Sequence, residues 1–502
     1  MATTSNTSKA DDKPPADTGP EKTKDGRPIF KTSHYNKVPV KERGAIRILK
    51  VHPGAPEQTE VQCELIPGTI LSDKDRLQHE TSDVQFKPYD ALSWCWGKAP
   101  SDSWISILKD ETSYVKYVQP RLVAALRALR HGTYARHFWV DAVCINQEYK
   151  AEKNVQVQMM AEIYGRAECV RIWLGDSDPS SDLAILFIKQ QILQLQHFDD
   201  LSSSTASSDK WRALLELMQR DWFSRRWVIQ EVTLAKKAII HCGKAKLAWT
   251  KFAIAVELFV EVETATHRLS EVMKQDAKYH HVPRWFEYIS QLGASLLVDA
   301  TGRLFRDYDY IQEKSPQAKK SAKQPNIPRK PKDELCYESE DDEVMSPQER
   351  ANRYNQESQH AKTKGQPLLT LEYLVSNMSI FDVTNPHDSV YALLGIAKDT
   401  TPTAVNKKLA VTDHTQSALE MFTVKKQYPV DYQASYIDVC KEFIQFCVRR
   451  NVPRDPSRAL DVICRPWAIE TEEKGNEPAC LPGYLDCPRL LMAWSSVREL
   501  ME

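Results

Sequence analysis

Between residues 45 and 260 the chain alternates short apolar runs with stretches of helical period, and this alternation constrains the fold more than any other feature. Ala45–Val51 and Glu60–Leu65 have strand composition and are separated by His52-Pro53-Gly54-Ala55-Pro56. Four compact runs follow: Tyr89–Trp94, Phe138–Ile145, Cys169–Leu174 and Ala238–Cys242. Between them lie helical patterns at 120–130 (Leu122, Ala125, Leu126 and Leu129 on one face), 151–167 (Val155, Met159, Met160, Ile163, Tyr164), 183–197, 209–219 and 222–236. Strands that alternate with helices imply crossover connections. Runs that are apolar throughout imply burial on both faces. The expectation is an α/β domain with a doubly wound, mainly parallel sheet, helices on both faces, and a largely helical C-terminal region.

The flanking sequence divides accordingly. Residues 1–44 form a polar tail too poor in apolar residues to fold. Residues 261–310 read as a helical extension with Trp285, Tyr288, Ile289 and Leu292 in an apolar stripe. Residues 311–366 read as a disordered, charge-blocked linker and 367–502 as a helical region ending in a periodic stretch through Ile437, Phe443 and Cys447.

Composition excludes several function classes. Lys+Arg total 67 and Asp+Glu 68, a net charge of -1, so there is no basic field to hold a nucleic acid. The 11 cysteines are scattered without a Cys-x-x-Cys pair, which argues against a zinc site and for reduced core thiols in the cytoplasm. No apolar run is long enough to span a bilayer or to act as a secretory signal. No Gly-x-Gly-x-x-Gly or phosphate-loop sequence is present.

Three blocks carry the chemistry. The first is Tyr89-Asp90-Ala91-Leu92-Ser93-Trp94-Cys95-Trp96-Gly97. The second is Trp139-Val140-Asp141-Ala142-Val143-Cys144-Ile145-Asn146-Gln147, with Ile163-Tyr164 downstream. The third is Trp222-Phe223-Ser224-Arg225-Arg226-Trp227-Val228-Ile229-Gln230-Glu231-Val232. Asp141 interrupts an apolar run, so it must be paired or stand at a strand end. Ser93, Trp96, Gly97, Asp141, Asn146 and Gln147 fall near the carboxyl ends of predicted parallel strands, where open sheets bind ligands. A structural network that orients loops explains the same residues equally well. Arg225 and Arg226 could clamp a diphosphate or simply pair at a helix start. Trp227 and Glu231 are four apart and share a helix face. Cys95, Cys144 and His241 read as packed residues, and no metal site is indicated.

In order and spacing these blocks closely resemble the signature of the HET family, the heterokaryon-incompatibility proteins of filamentous fungi. Asp388-Ser389-Val390-Tyr391-Ala392-Leu393-Leu394-Gly395 resembles a segment that commonly follows, and Leu481-Pro482-Gly483-Tyr484 the start of a further one. Trp94 stands where the family usually has Tyr, and Lys153 where it has Arg. The resemblance implies self/non-self recognition and programmed cell death, acting by self-association or with an incompatibility partner. More remotely, Ser224–Val232 resembles the Trp-x-x-x-Glu helix of Toll/interleukin-receptor (TIR) domains, some of which cleave NAD at the nicotinamide–ribose bond. That likeness implies a TIR-like sheet, Glu231 as the catalytic residue, NAD as substrate and no resident cofactor. Two functions stay open: an NAD-cleaving effector and a non-catalytic death-fold adaptor.

Overall fold

The computed structural model describes residues 22–24, 26–40, 42, 44–55, 58–71, 87–97, 99–282, 284–303, 305–306, 366–404 and 426–451. The linker expected at 311–366, apart from residue 366, and the segment at 481–484 lie outside them.

Nine strands form one sheet: β1 (Ala45–Val51), β2 (Gln62–Thr69), β3 (Asp90–Trp94), β4 (Ser103–Lys109), β5 (Thr112–Val118), β6 (Arg136–Trp139), β7 (Val170–Trp173), β8 (Ala238–Cys242) and β9 (Ala245–Ala248). Their spatial order is β5-β4-β2-β1-β6-β3-β7-β8-β9. The four runs predicted as strands, β3, β6, β7 and β8, are adjacent and mutually parallel. In chain order they stand second, first, third, fourth. The sheet as a whole is nevertheless mixed, not mainly parallel. β1 pairs antiparallel with β2 and with β6, and β4–β5 and β8–β9 are antiparallel hairpins. Short connections can join only antiparallel neighbours, and both hairpins have them. Asp110 and Glu111 take positive φ (46° and 63°) in the β4–β5 turn, as a mirror-image turn requires. Gly243 does so in the β8–β9 turn (φ 53°), where a Cβ would come within 2.8 Å of the Ser177 backbone nitrogen.

The helices between the strands are α1 (Pro120–Leu129), α2 (Asp141–Cys144), α3 (Lys150–Arg166), α4 (Pro179–Phe187), α5 (Phe198–Ser203), α6 (Ser208–Met218) and α7 (Trp227–Thr233). Proline opens α1 at its first position, where its missing N–H costs nothing. Asp178 and Ser181 cap α4 reciprocally. Two expectations shift. The run 138–145 is not one strand: it ends at Trp139 and turns into α2. The buried side of α3 is Gln156, Val157, Met160, Ile163 and Tyr164, while Val155 is exposed.

After β9 come α8 (Trp249–Thr266), α9 (Arg268–Gln275) and α10 (Gly293–Arg303). Tyr288 is exposed and not part of a buried stripe, whereas Ile289, also expected there, is buried together with Phe286. The C-terminal region holds α11 (Leu371–Asn377), α12 (Asp388–Tyr391), a two-stranded parallel pair (Thr400–Ala404 with Lys426–Val430) and α13 (Tyr436–Asn451). One continuous core runs from Phe30 to Cys447, so this region packs on the sheet domain rather than standing apart.

The stretch 26–40, expected in the polar tail, is packed. Its short helix Thr32–Lys37 buries Tyr35, whose hydroxyl donates to the Val143 carbonyl at 2.9 Å. Arg47, 1% exposed, forms a bidentate pair with Glu152 at 2.5 and 3.0 Å and lies over the Tyr35 ring. No helix among the described residues is long and apolar enough to cross a membrane.

Candidate functional site

The carboxyl ends of β3 and β7 border the switch point of the parallel strands, and the three sequence blocks converge there. β3 is buried along its whole length. Consecutive strand residues point to opposite faces, so Ser93 and Trp94 serve different surroundings.

The Ser93 hydroxyl donates to the Glu231 carboxylate and accepts the Trp222 indole N–H at 2.8 Å. Tyr164 of α3 stands beside Glu231, and its hydroxyl donates to the Leu92 carbonyl at 3.2 Å. Glu231 is 1% exposed. Burial pushes its carboxyl up to about 7; Arg225, the Ser93 hydrogen bond and Tyr164 pull it down, while Asp141 raises it further. Such a group stands near its own midpoint at neutral pH.

Trp94 turns the other way. Its indole N–H donates to Asp141 Oδ1 at 2.9 Å, and Trp96 donates to Oδ2 at 2.8 Å. The two indoles stack at 5.8 Å. Asp141 Oδ1 also takes the Ala142 N–H at 2.7 Å, and Gln147 donates to the Asp141 carbonyl at 2.9 Å. Asp141 thus stands at a strand end with its carboxylate satisfied. The Arg225 guanidinium donates to the Trp94 carbonyl and feels both carboxylates, Glu231 and Asp141.

The predicted residues therefore divide. Ser93, Asp141, Arg225 and Glu231 form one electrostatic unit, with Trp96 and Gln147 on its Asp141 side. Gly97 is exposed just past β3 in a left-handed turn (φ 69°). Asn146 is buried, and its N–H donates to Glu152 at 2.8 Å. Arg226 and Trp227 point elsewhere. Arg226 donates to the Ser389 and Met378 carbonyls at 2.6 and 2.8 Å, so its guanidinium is not arranged to clamp a diphosphate. The Trp227 indole lies beside Asp388 and favours its ionised form. The high Glu231 value thus comes from burial in the domain, not from Trp227 beside it.

Sequence reasoning missed Trp222 and Tyr164 as site residues, although both stand inside the quoted blocks. Cys144 is buried with its thiol pushed up to about 12 by burial, and His241 is a buried strand residue held neutral by desolvation. Among the described residues no group of His, Cys, Asp or Glu could hold a metal ion. A cleft of about 280 Å³ lies elsewhere, between the N-terminal segment and the sheet, lined by Phe30, His34, Tyr35, Leu65 and Ile107. It contains none of the residues of the three blocks.

An α/β domain with a buried serine–carboxylate pair at its switch point, built from these blocks, has a family counterpart. Residues 89–231 match the family model described as heterokaryon incompatibility protein (HET), so the chain carries a HET domain. It is similar to heterokaryon incompatibility protein 6, OR allele, of Neurospora crassa, at 26% identity over 39% of this chain and 33% of that protein. The matched stretch thus spans about a third of the relative's length. No solved structure matches the chain.

Proposed function

We propose that this chain acts in heterokaryon incompatibility as a cytoplasmic cell-death effector, and that its HET domain hydrolyses NAD at the nicotinamide–ribose bond. The HET match and the name of the Neurospora relative support the first part. The observation that carries the second is Glu231, a buried carboxylate held by Ser93, with Tyr164 beside it, at the switch point of a parallel strand set.

The chemistry suits that group. As the C1′–N bond breaks, the electron pair leaves with nicotinamide and positive charge develops on the ribose. An ionised Glu231 beside the ribose stabilises this oxocarbenium-like state, and a fixed charge is worth more in a dry site than in water. Water then adds at C1′ and releases a proton. Arg225 and the Ser93 hydroxyl favour the ionised form. The TIR-like reading of the sheet rests on the second-first-third-fourth strand order and on the Trp227–Glu231 spacing.

One observation favours a non-catalytic adaptor instead: Ser93 and Glu231 are fully enclosed and mutually satisfied. In that reading the pair is a structural strut and the domain signals by self-association or by binding an incompatibility partner. Expression of wild type and Glu231→Gln in a fungal host separates the two. The enzyme reading predicts that wild type depletes NAD and kills while Glu231→Gln, accumulating equally, does neither. Equal killing by both supports the adaptor.

A further inference from the structure

The alternation that points Ser93 at Glu231 points Trp94 at the opposite face of the sheet, where Trp94 heads a row. Trp94 of β3 is in register with Trp173 of β7, Trp173 with His241 of β8, and His241 with Lys246 of β9. Trp94 and Trp173 are the last residues of their strands, and His241 is the last but one. The row therefore crosses the carboxyl ends of the parallel strands, where open α/β sheets take ligands.

The ring nitrogens along this row differ in what they meet. The Trp94 indole N–H donates to the Asp141 carboxylate at 2.9 Å. Trp173 Nε1 and His241 Nε2 are buried and have no hydrogen-bond partner among the described residues. Both residues are 3% exposed. Native proteins leave few buried polar atoms unpaired, and each calls for a partner from outside the chain.

The surroundings decide which kind. Burial holds the His241 ring well below the ordinary histidine value, and the charges acting on it, Arg171, Lys246 and Arg136, push the same way. All three are cations. Arg171 stands two residues before Trp173 and so shares its face. Asp90, the counter-charge, is shared by Arg136 and Arg171 at 2.9 and 3.0 Å and stands at the other end of β3 from Trp94. A water molecule satisfies a ring nitrogen as well as an anion does, but a surplus of positive charge favours the anion.

We propose that Trp173, His241 and Lys246 form a binding site for a small oxyanion, the phosphate or carboxylate group of a soluble ligand, on the face of the sheet opposite Glu231. The Trp173 indole and the His241 ring donate to its oxygens, and Lys246 and Arg171 supply the opposing charge. Asp141, which takes the N–H groups of Trp94 and Trp96, shows the same chemistry on the neighbouring strand, performed by a carboxylate of the chain itself. The Arg171 side chain is 17% exposed and Lys246 is half-buried, so the ligand enters from their side. The site does not rest on the NAD reading.

The test uses the full chain as wild type, Trp173→Phe and Lys246→Gln, each checked for folding by circular dichroism. Inorganic phosphate and acetate are titrated in turn, with sodium chloride at matched ionic strength as the control. Two quantities are read: the Trp173 indole N–H resonance, identified by its loss in Trp173→Phe, and the melting temperature. The site predicts that at least one of the two anions moves that resonance downfield to saturation and raises the melting temperature, while chloride does neither. A response to phosphate alone assigns a phosphate group, and a response to acetate a carboxylate. Lys246→Gln binds the anion about tenfold more weakly, and Trp173→Phe loses most of the thermal gain. A resonance that follows neither anion beyond the chloride control overturns the site, as does equal affinity in wild type and Lys246→Gln. If Trp173→Phe does not fold, Lys246→Gln decides alone, by the thermal gain.

Discussion

The Ser93 hydroxyl donates to the Glu231 carboxylate across 138 residues of chain, tying the carboxyl end of β3 to the last turns of α7. The contact joins the first and third sequence blocks in one buried pair, and its protonation is linked to folding. Burial raises the folded-state value of Glu231 from 4.5 to about 7. Below 4.5 both folded and unfolded chains hold the proton, and the stability is fully present. As pH rises from 4.5 through 7 the unfolded chain releases the proton first, so stability is lost across that window and the loss levels above it. Glu231→Gln removes this dependence. The Gln variant is expected to match wild type near pH 4 and to exceed it at pH 8, by roughly 3 kcal/mol at most. Melting curves of both proteins at the two pH values check this; a Gln variant less stable at pH 8 contradicts it.

Asp141 supplies the acceptors for two indoles. Asp141→Ala leaves the Trp94 and Trp96 N–H groups without their partner and frees the Ala142 N–H as well. The expected cost is about 2–4 kcal/mol. Asp141→Asn keeps one acceptor oxygen and costs less. Urea unfolding followed by tryptophan fluorescence measures both, and equal stabilities for Ala and wild type rule out the bracing role.

The Arg47–Glu152 pair anchors the N-terminal segment. Arg47 donates to the Val38 and Cys144 carbonyls besides Glu152, and Glu152 accepts the Asn146 N–H. Removing one partner leaves an uncompensated buried charge, so Glu152→Ala is expected to cost about 3–5 kcal/mol. It also releases residues 26–40 from the sheet. Limited proteolysis is the check: cleavage near residues 31–38 accelerates in the variant, and unchanged cleavage contradicts the anchor.

The parallel centre of the sheet was legible because its four strands are apolar on both faces and separated by helix-length segments. The β4–β5 hairpin was not. Ser103–Val118 mixes polar and apolar residues, and its turn is Asp110-Glu111 rather than the Asn-Gly or Asp-Gly that marks such turns. Phe138–Ile145 was read as one strand because apolar content alone does not separate a strand from a buried helical turn; the break falls after Val140, where α2 begins. Asp141 at a strand end could be placed from position alone, but not the approach of Arg225 to the Glu231 and Asp141 carboxylates. The direction of Trp227 could not. Its i,i+4 spacing from Glu231 holds on the helix, but what each side chain meets is set by Asp388 and Ser93, far away in the chain. The packing of 26–40 was hidden for the same reason: Phe30 and Tyr35 pack on each other, but what covers them, Lys116 of β5 and Val143 of α2, lies far away in the chain.

The central claim is that the Glu231 carboxylate cleaves NAD, and the most direct measurement is nicotinamide released by purified wild type and Glu231→Gln across pH 5.5–8.5. The account predicts release by wild type that rises as pH passes through about 7, as Glu231 ionises. It predicts at least a hundredfold loss in Glu231→Gln, about 2.7 kcal/mol of barrier, in a protein that melts no lower than wild type at pH 8. Release by Glu231→Gln equal to that of wild type contradicts it.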